Sequence, residues 1–164
     1  MASNGRARPP NGGRNDGGLL DAVNRRILAV LTDDARISTA ELARRLDMSA
    51  PAVRERVSRL EQAGVIRGYR VDIDPAAVGL PVSAWVRVRP GPGQLPKVAE
   101  LARRSPQVSE CHRITGDDCF LLKVHGAGLE QLESLLDAFL MFGQTTTAIV
   151  VATPVPPRAP ALPE

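Results

Sequence analysis

The side chains equipped for chemistry in this chain are mostly arginines, and they gather between positions 44 and 59. Arg44, Arg45, Arg54, Arg56 and Arg59 all fall there, while Lys97 and Lys123 are the only lysines in the chain. A planar guanidinium donates paired N–H groups to a phosphate or a guanine edge, whereas an ammonium acts as a point charge. Ser49, Ala50 and Pro51 precede Arg54, so small residues open this stretch and permit close approach to a surface. Other chemistry is thinly supplied. Cys111, Cys119, His112 and His125 are the only cysteines and histidines, and no Cys-x-x-Cys or His-x-x-x-His spacing joins them into a metal site. Glu110 and Asp118 stand beside the two cysteines, and neighbouring acids raise a thiol's pKa and suppress redox reactivity. No nucleophile–base pair and no phosphate loop is present, so the chain reads as a non-enzyme without cofactor.

The elements that position the arginines are helices, because apolar residues between 19 and 66 recur at three and four positions. Leu20, Val23, Ile27, Val30 and Leu31 form one stripe. Ser38 and Glu41 have the spacing of a capping box opening a second helix, with Leu42 and Leu46 inward. Ser49 caps a third, whose inner face is Val53, Val57 and Leu60, with Pro51 tolerated in its first turn. Gly64 ends it, and Val65 to Val71 alternates like a strand. Two helices joined by so short a turn form a helix-turn-helix, which lays its second helix in the DNA major groove. Ala50, Pro51, Arg54, Glu55, Ser58 and Arg59 then face outward or sideways. Arg54 reaches a guanine edge or phosphate, Ser58 and Arg59 lie further along, and the N–H groups of Ser49 and Ala50 offer an anion site. Arg44, Arg45, Arg67 and Arg70 hold the flanking backbone. Arg56 has two readings, a DNA contact or an internal pair with Glu55 or Glu61.

Residues 81–153 interleave strand and helix patterns. Strands are expected at 82–88, 108–115, 119–125 and 145–151, and helices at 96–104 and 129–140. The order β-α-β-β-α-β is that of a ferredoxin-like domain, an antiparallel sheet with both helices on one face. Its other face has no cover from the same pattern, so a second copy of the chain is expected there, with Trp85 an interface or core residue. Residues 67–80 read as a strand and hinge between the two domains. Residues 1–18, with Arg6, Arg8 and Arg14, and the Pro-rich residues 154–164 read as disordered tails.

Bulk properties agree with a soluble globular fold. Of the 164 residues 43% are apolar and 24% charged, enough to build cores. The net charge of +3 leans toward a polyanionic partner without proving one. No apolar run is long enough to span a bilayer, and the first residues lack a signal-peptide core, so a cytoplasmic location is expected.

The chain resembles the Lrp/AsnC, or feast/famine, family of bacterial transcription regulators. The marks are Leu20-Asp21-x-x-Asn24-x-x-Ile27-Leu28, Ala35-Arg36-Ile37-Ser38-x-x-Glu41-Leu42, Ser49-x-x-x-Val53-x-x-Arg56-Val57-x-x-Leu60-Glu61-x-x-Gly64-Val65-Ile66-x-Gly68-Tyr69, and Thr115-Gly116-Asp117-x-x-x-Leu121-Leu122-Lys123-Val124. The resemblance implies a winged helix-turn-helix domain followed by an α+β ligand-binding domain, and dimers built through the C-terminal sheets and assembled into octamers or larger discs on double-stranded DNA. It also implies an amino acid or other small-metabolite effector at the turn between the second and third strands. By position that turn is Gly116, Asp117, Asp118 and Cys119, with Thr145 and Thr147 bordering the pocket. Backbone N–H groups of a glycine turn suit a carboxylate, and an aspartate suits an ammonium. The family commonly carries a second acid where this chain has Cys119, and the segment after Gly143 is short. Two alternatives are an effector-independent, chromatin-organising DNA binder and a tetrapyrrole decarboxylase of the same architecture. The latter wants His and Arg lining one cavity, whereas the adjacent His112 and Arg113 point to opposite faces of a strand.

Overall fold

The computed structural model describes residues 18–162; the expected N-terminal tail, including Arg6, Arg8 and Arg14, lies outside them save for Gly18. The chain divides into two compact units, one running to Arg70 and taking in the residues from Arg158 onward, the other spanning Val71–Pro157. None of its described helices is long and apolar enough to cross a membrane.

The first unit contains three helices, α1 (Ala22–Asp33), α2 (Thr39–Leu46) and α3 (Ala50–Gln62). Each begins on a side chain that accepts a hydrogen bond from an otherwise unpaired backbone N–H. Asp21 takes Asn24 N at 2.7 Å, Ser38 takes Glu41 N at 3.1 Å and Ser49 takes Ala52 N at 3.4 Å. The expected capping box is only half made. Glu41 turns its carboxylate away to Arg44 and Arg45, because an ion pair and the reciprocal cap compete for the same two oxygens. Ile27, Leu42, Ala43, Leu46, Val53 and Leu60 form the core. Ile27, Val53 and Leu60 are wholly enclosed, each burial contributing roughly 1.5–3 kcal/mol. Asp47 makes the turn between α2 and α3 in the left-handed region, φ 54 and ψ 46, which aspartate tolerates better than most residues.

Gly64, at φ +74, closes α3. Its N–H donates to Glu61 O and that of Val65 to Leu60 O, both at 2.9 Å, the paired bonds of a Schellman end. The strand expected from Val65 to Val71 does not form. Val65 and Ile66 are spent on the helix end, and residues 67–74 make no ladder with any described residue. Alternation supplies the shape of a strand, but a ladder requires a second strand beside it.

The second unit opens with one 3-10 turn at Ala76–Val78 and continues as β1 (Val82–Pro90), α4 (Leu95–Arg104), β2 (Val108–Arg113), β3 (Phe120–Gly126), α5 (Leu129–Leu140) and β4 (Gly143–Ile149). The sheet order is β2-β3-β1-β4 and every neighbouring pair is antiparallel, the ferredoxin-like arrangement. Strand limits differ from the expected ones. β2 ends at Arg113, β3 begins after Cys119, and β4 runs two residues earlier than the apolar pattern suggests. Ala84, Val86 and Val88 of β1 and Phe120, Leu122 and Val124 of β3 meet Val98 and Ala102 of α4 and Leu132, Leu135 and Phe139 of α5 in one core. The alternate residues, Trp85, Arg87 and Arg89 on β1 and Leu121, Lys123 and His125 on β3, occupy the opposite, open face.

Gly143 carries β4 against β1. A Cβ there would press on the Arg89 carbonyl and lie 2.8 Å from Pro90 Cα, so no other residue fits without moving the strand.

Candidate DNA interface and effector turn

With Val53 and Leu60 buried, α3 exposes Pro51, Arg54, Glu55 and Arg59, and leaves Ala50 and Ser58 half-buried; Ser49 is exposed at its start. Arg54 and Ser58, one turn apart, share the wall of an open groove of about 340 Å³ with Glu61 and Tyr69. The Tyr69 hydroxyl donates to Glu61 Oε1 at 3.0 Å. Partial burial, then that carboxylate, pushes the phenol pKa up.

The arginines separate by partner. Arg44 donates twice to Glu41, at 2.8 and 2.7 Å, and Arg45 once, at 3.1 Å. Arg44 first, then Arg45, holds the Glu41 carboxyl down to about 2. Arg59 pairs with Glu55 one turn back on α3. Arg56 reaches neither Glu55 nor Glu61 but α1, donating Nη1 to Asp21 Oδ2 at 2.6 Å and to Asn24 Oδ1 at 3.0 Å. Asn24 is itself buried and donates to Leu19 O. Arg56 therefore ties α3 to the start of α1, a link that no local spacing signals because its ends lie 35 residues apart. Arg54, Arg67 and Arg70 are exposed and have no carboxylate partner among the described residues. Arg26 and Arg36 are likewise exposed and without a carboxylate partner among the described residues, so on α3 itself Arg54 is the arginine left without an acid.

The β2–β3 turn is made by Gly116 at φ +101 and closed by Ile114 N–H donating to Cys119 O at 3.0 Å. Cys119 N–H donates to Val88 O at 3.0 Å, fixing the turn to β1. Asp117 and Asp118 then meet Arg89 and Arg87. Arg89 Nη2 lies 3.2 Å from Asp117 Oδ2, and Asp118 is 3.6 Å from the Nε of each arginine. Sequence reading missed both arginines, although the alternation of β1 puts them on one face. Their partner emerges only once β1 is seen to lie beside β3.

Thr145 and Thr147 are not gathered with these groups. They pair directly with Val88 and Val86, and directly paired residues share a face, so they lie on the helix side while Arg87 and Arg89 lie on the open side. Cys119 Sγ sits 3.9 Å from Asp117 O. The Cys111 thiol is pushed up, but by burial rather than by Glu110, and the charge that acts on it is Arg103, which opposes the shift. On the open face, Ser83 Oγ and His125 Nδ1 are 2.8 Å apart and His125 Nε2 and Ser109 Oγ 3.1 Å. Burial, then Lys123, lowers the His125 pKa while Glu110 opposes. Lys123 also stands over the Trp85 ring, 5.8 Å from its centroid.

Comparison with known proteins bears on both regions. The family described as winged helix-turn-helix DNA-binding matches residues 20–67, and that described as the Lrp/AsnC ligand binding domain matches 83–160. The HTH-type transcriptional regulator LrpC of Bacillus subtilis is 32% identical over 131 residues, 80% of this chain and 91% of its own. The HTH-type transcriptional regulator AldR of Mycolicibacterium smegmatis is 38% identical over 120 residues, 71% of this chain and 70% of its own. Among solved structures, the feast or famine regulatory protein from M. tuberculosis complexed with L-methionine superposes with a TM-score of 0.80 at 33% identity, covering 85% of this chain and 97% of that one.

Proposed function

The chain belongs to the Lrp/AsnC family of helix-turn-helix transcriptional regulators, and from that membership we propose that it binds operator DNA through α3 and couples binding to an amino acid held at the β2–β3 turn. The observation that carries the DNA reading is Arg54. It is exposed on the outer face of a helix whose opposite face is locked into the core, and no acid among the described residues neutralises it. Ser49, Ala50 and Pro51 supply the close approach at the helix start, with Ser58 and Arg59 further along the groove wall. Arg44 and Arg45 sit on α2, where they grip phosphates and fix register, exchanging Glu41 for the DNA backbone. Arg56 supports the interface from behind by holding α3 to α1.

The effector reading is supported by the relative solved with L-methionine and by the polar cluster at Gly116, Asp117, Asp118 and Cys119. The working form is a cytoplasmic homodimer built through the open sheet face and assembled further into octamers. Trp85, Leu121 and Ala148 give that face an apolar centre, while both helices of the unit pack on the other side.

Fluorescence anisotropy on labelled duplex from upstream of the protein's own gene, against a scrambled duplex, tests the DNA reading. Arg54→Ala is expected to weaken specific binding by about 1–3 kcal/mol and narrow the gap between the duplexes. Equal affinity of wild type and variant for both would remove α3 from the interface.

A further inference from the structure

Two guanidiniums stand against the β2–β3 turn. Arg87 and Arg89 lie on the same face of β1, about 7 Å apart along the strand. Asp118 sits between them, 3.6 Å from either Nε, and Asp117 takes one hydrogen bond from Arg89 at 3.2 Å. Two cations thus balance two carboxylates, and the turn is not the acidic loop that Gly116-Asp117-Asp118 suggests. The pairs are loose. Contacts at 3.6 Å exceed hydrogen-bond range, and in the single chain the side chains of Arg87, Arg89 and Asp117, toward the turn end of the sheet face, are 55%, 49% and 85% exposed, where solvent weakens ion pairs. Most of each arginine's forked donor set is unused, and such a fork receives a carboxylate two hydrogen bonds at a time.

We infer that this turn takes an acidic amino acid, aspartate- or glutamate-like, with one carboxylate on Arg87, the other on Arg89 and the ammonium against Asp117 and Asp118. The ligand exchanges the internal ion pairs for its own, so each charge that loses a partner gains another. A neutral amino acid brings one carboxylate and leaves one arginine on Asp118. A side-chain amide places an uncharged group opposite a guanidinium and forfeits a charge-assisted bond. Arg87 and Arg89 are the residues that set specificity here, and the inference rests on the proposal that the turn holds an amino acid at all.

Isothermal titration of the full chain with L-glutamate, L-aspartate, L-glutamine, L-asparagine and L-methionine, at one pH and two salt concentrations, tests it. Each acid is expected to bind roughly tenfold more tightly than its amide, one charge-assisted bond's difference, and the margin to shrink with salt. Arg87→Gln with Arg89→Gln is expected to erase the margin. Should that variant melt, Arg87→Lys with Arg89→Lys substitutes for it, keeping the charge and losing the fork, and is expected to reduce the margin. Amides or methionine binding as tightly as the acids, or a margin untouched by the variants, overturns the acidic specificity and leaves the turn an amino acid site. Failure of all five ligands overturns both readings.

Discussion

Arg56 shows how one side chain can be diverted from a surface role by a partner far away in sequence. It is about one-third exposed, as is Asp21, so the pair keeps some solvent screening, and Arg56→Ala is expected to cost about 1 kcal/mol. A urea titration read by circular dichroism measures it. The backbone N–H of Asn24, then Arg56, lowers the Asp21 pKa from 3.8. A depressed carboxylate contributes stability that is complete above its unfolded pKa and is lost as pH falls through the folded value. Asp21→Asn should therefore flatten the decline in melting temperature below about pH 4; an unchanged acid limb would mean that Asp21 is not its source. Glu41, held near 2 by Arg44 and Arg45, keeps its charge through nearly all of that range. At this scale Ser38 and Ser49 were legible as caps because a cap is a local contact three residues long. The fate of Glu41 was not, since the sequence offers its carboxylate two uses and only the folded geometry selects one.

Elements were legible where periodicity and a buried face coincide. β1 and β3 read correctly because alternate residues enter the core beneath α4 and α5. The end strand β4 read two residues late, because its start is set by Gly143 accepting the Arg89 and Pro90 backbone at a distance no side chain allows, a fact of pairing rather than of hydrophobicity. Gly143→Ala is accordingly expected to destabilise the second unit by about 2 kcal/mol or more, seen as a lower urea midpoint and as loss of amide protection along β4. A midpoint equal to wild type would mean that β4 shifts freely against β1. The residues 65–71 show the converse: apolar alternation is present, but the first two residues end α3 and the rest find no partner strand among the described residues, so pattern alone overstates order.

For the whole molecule, the sheet leaves Trp85, Leu121 and Ala148 on a face that its own helices do not cover. If a second copy covers it, Trp85→Ala removes a large apolar contact from the centre, where interface energy concentrates, and the dimer dissociation constant should rise about tenfold or more. Sedimentation equilibrium across a concentration series gives that constant, and one unaltered by the substitution moves the interface elsewhere. The family was legible because its marks are spread over both units in a fixed order. The proposed ligand site was legible only in part: the turn could be placed by motif, but Arg87 and Arg89 meet it through strand pairing, which no spacing along the chain reports.

The unpaired segment after α3 also has a bearing on the life of the protein once made. Proteases draw substrate into their clefts as extended chain, and residues 67–74 lie in no helix or strand that would have to be broken first. Arg67 and Arg70 stand exposed within it, so a trypsin-like enzyme should nick the chain there before it enters either core. Such a cut would part the helix-turn-helix from the sheet that carries the proposed effector turn, so turnover at this one seam would uncouple the two units of the regulator.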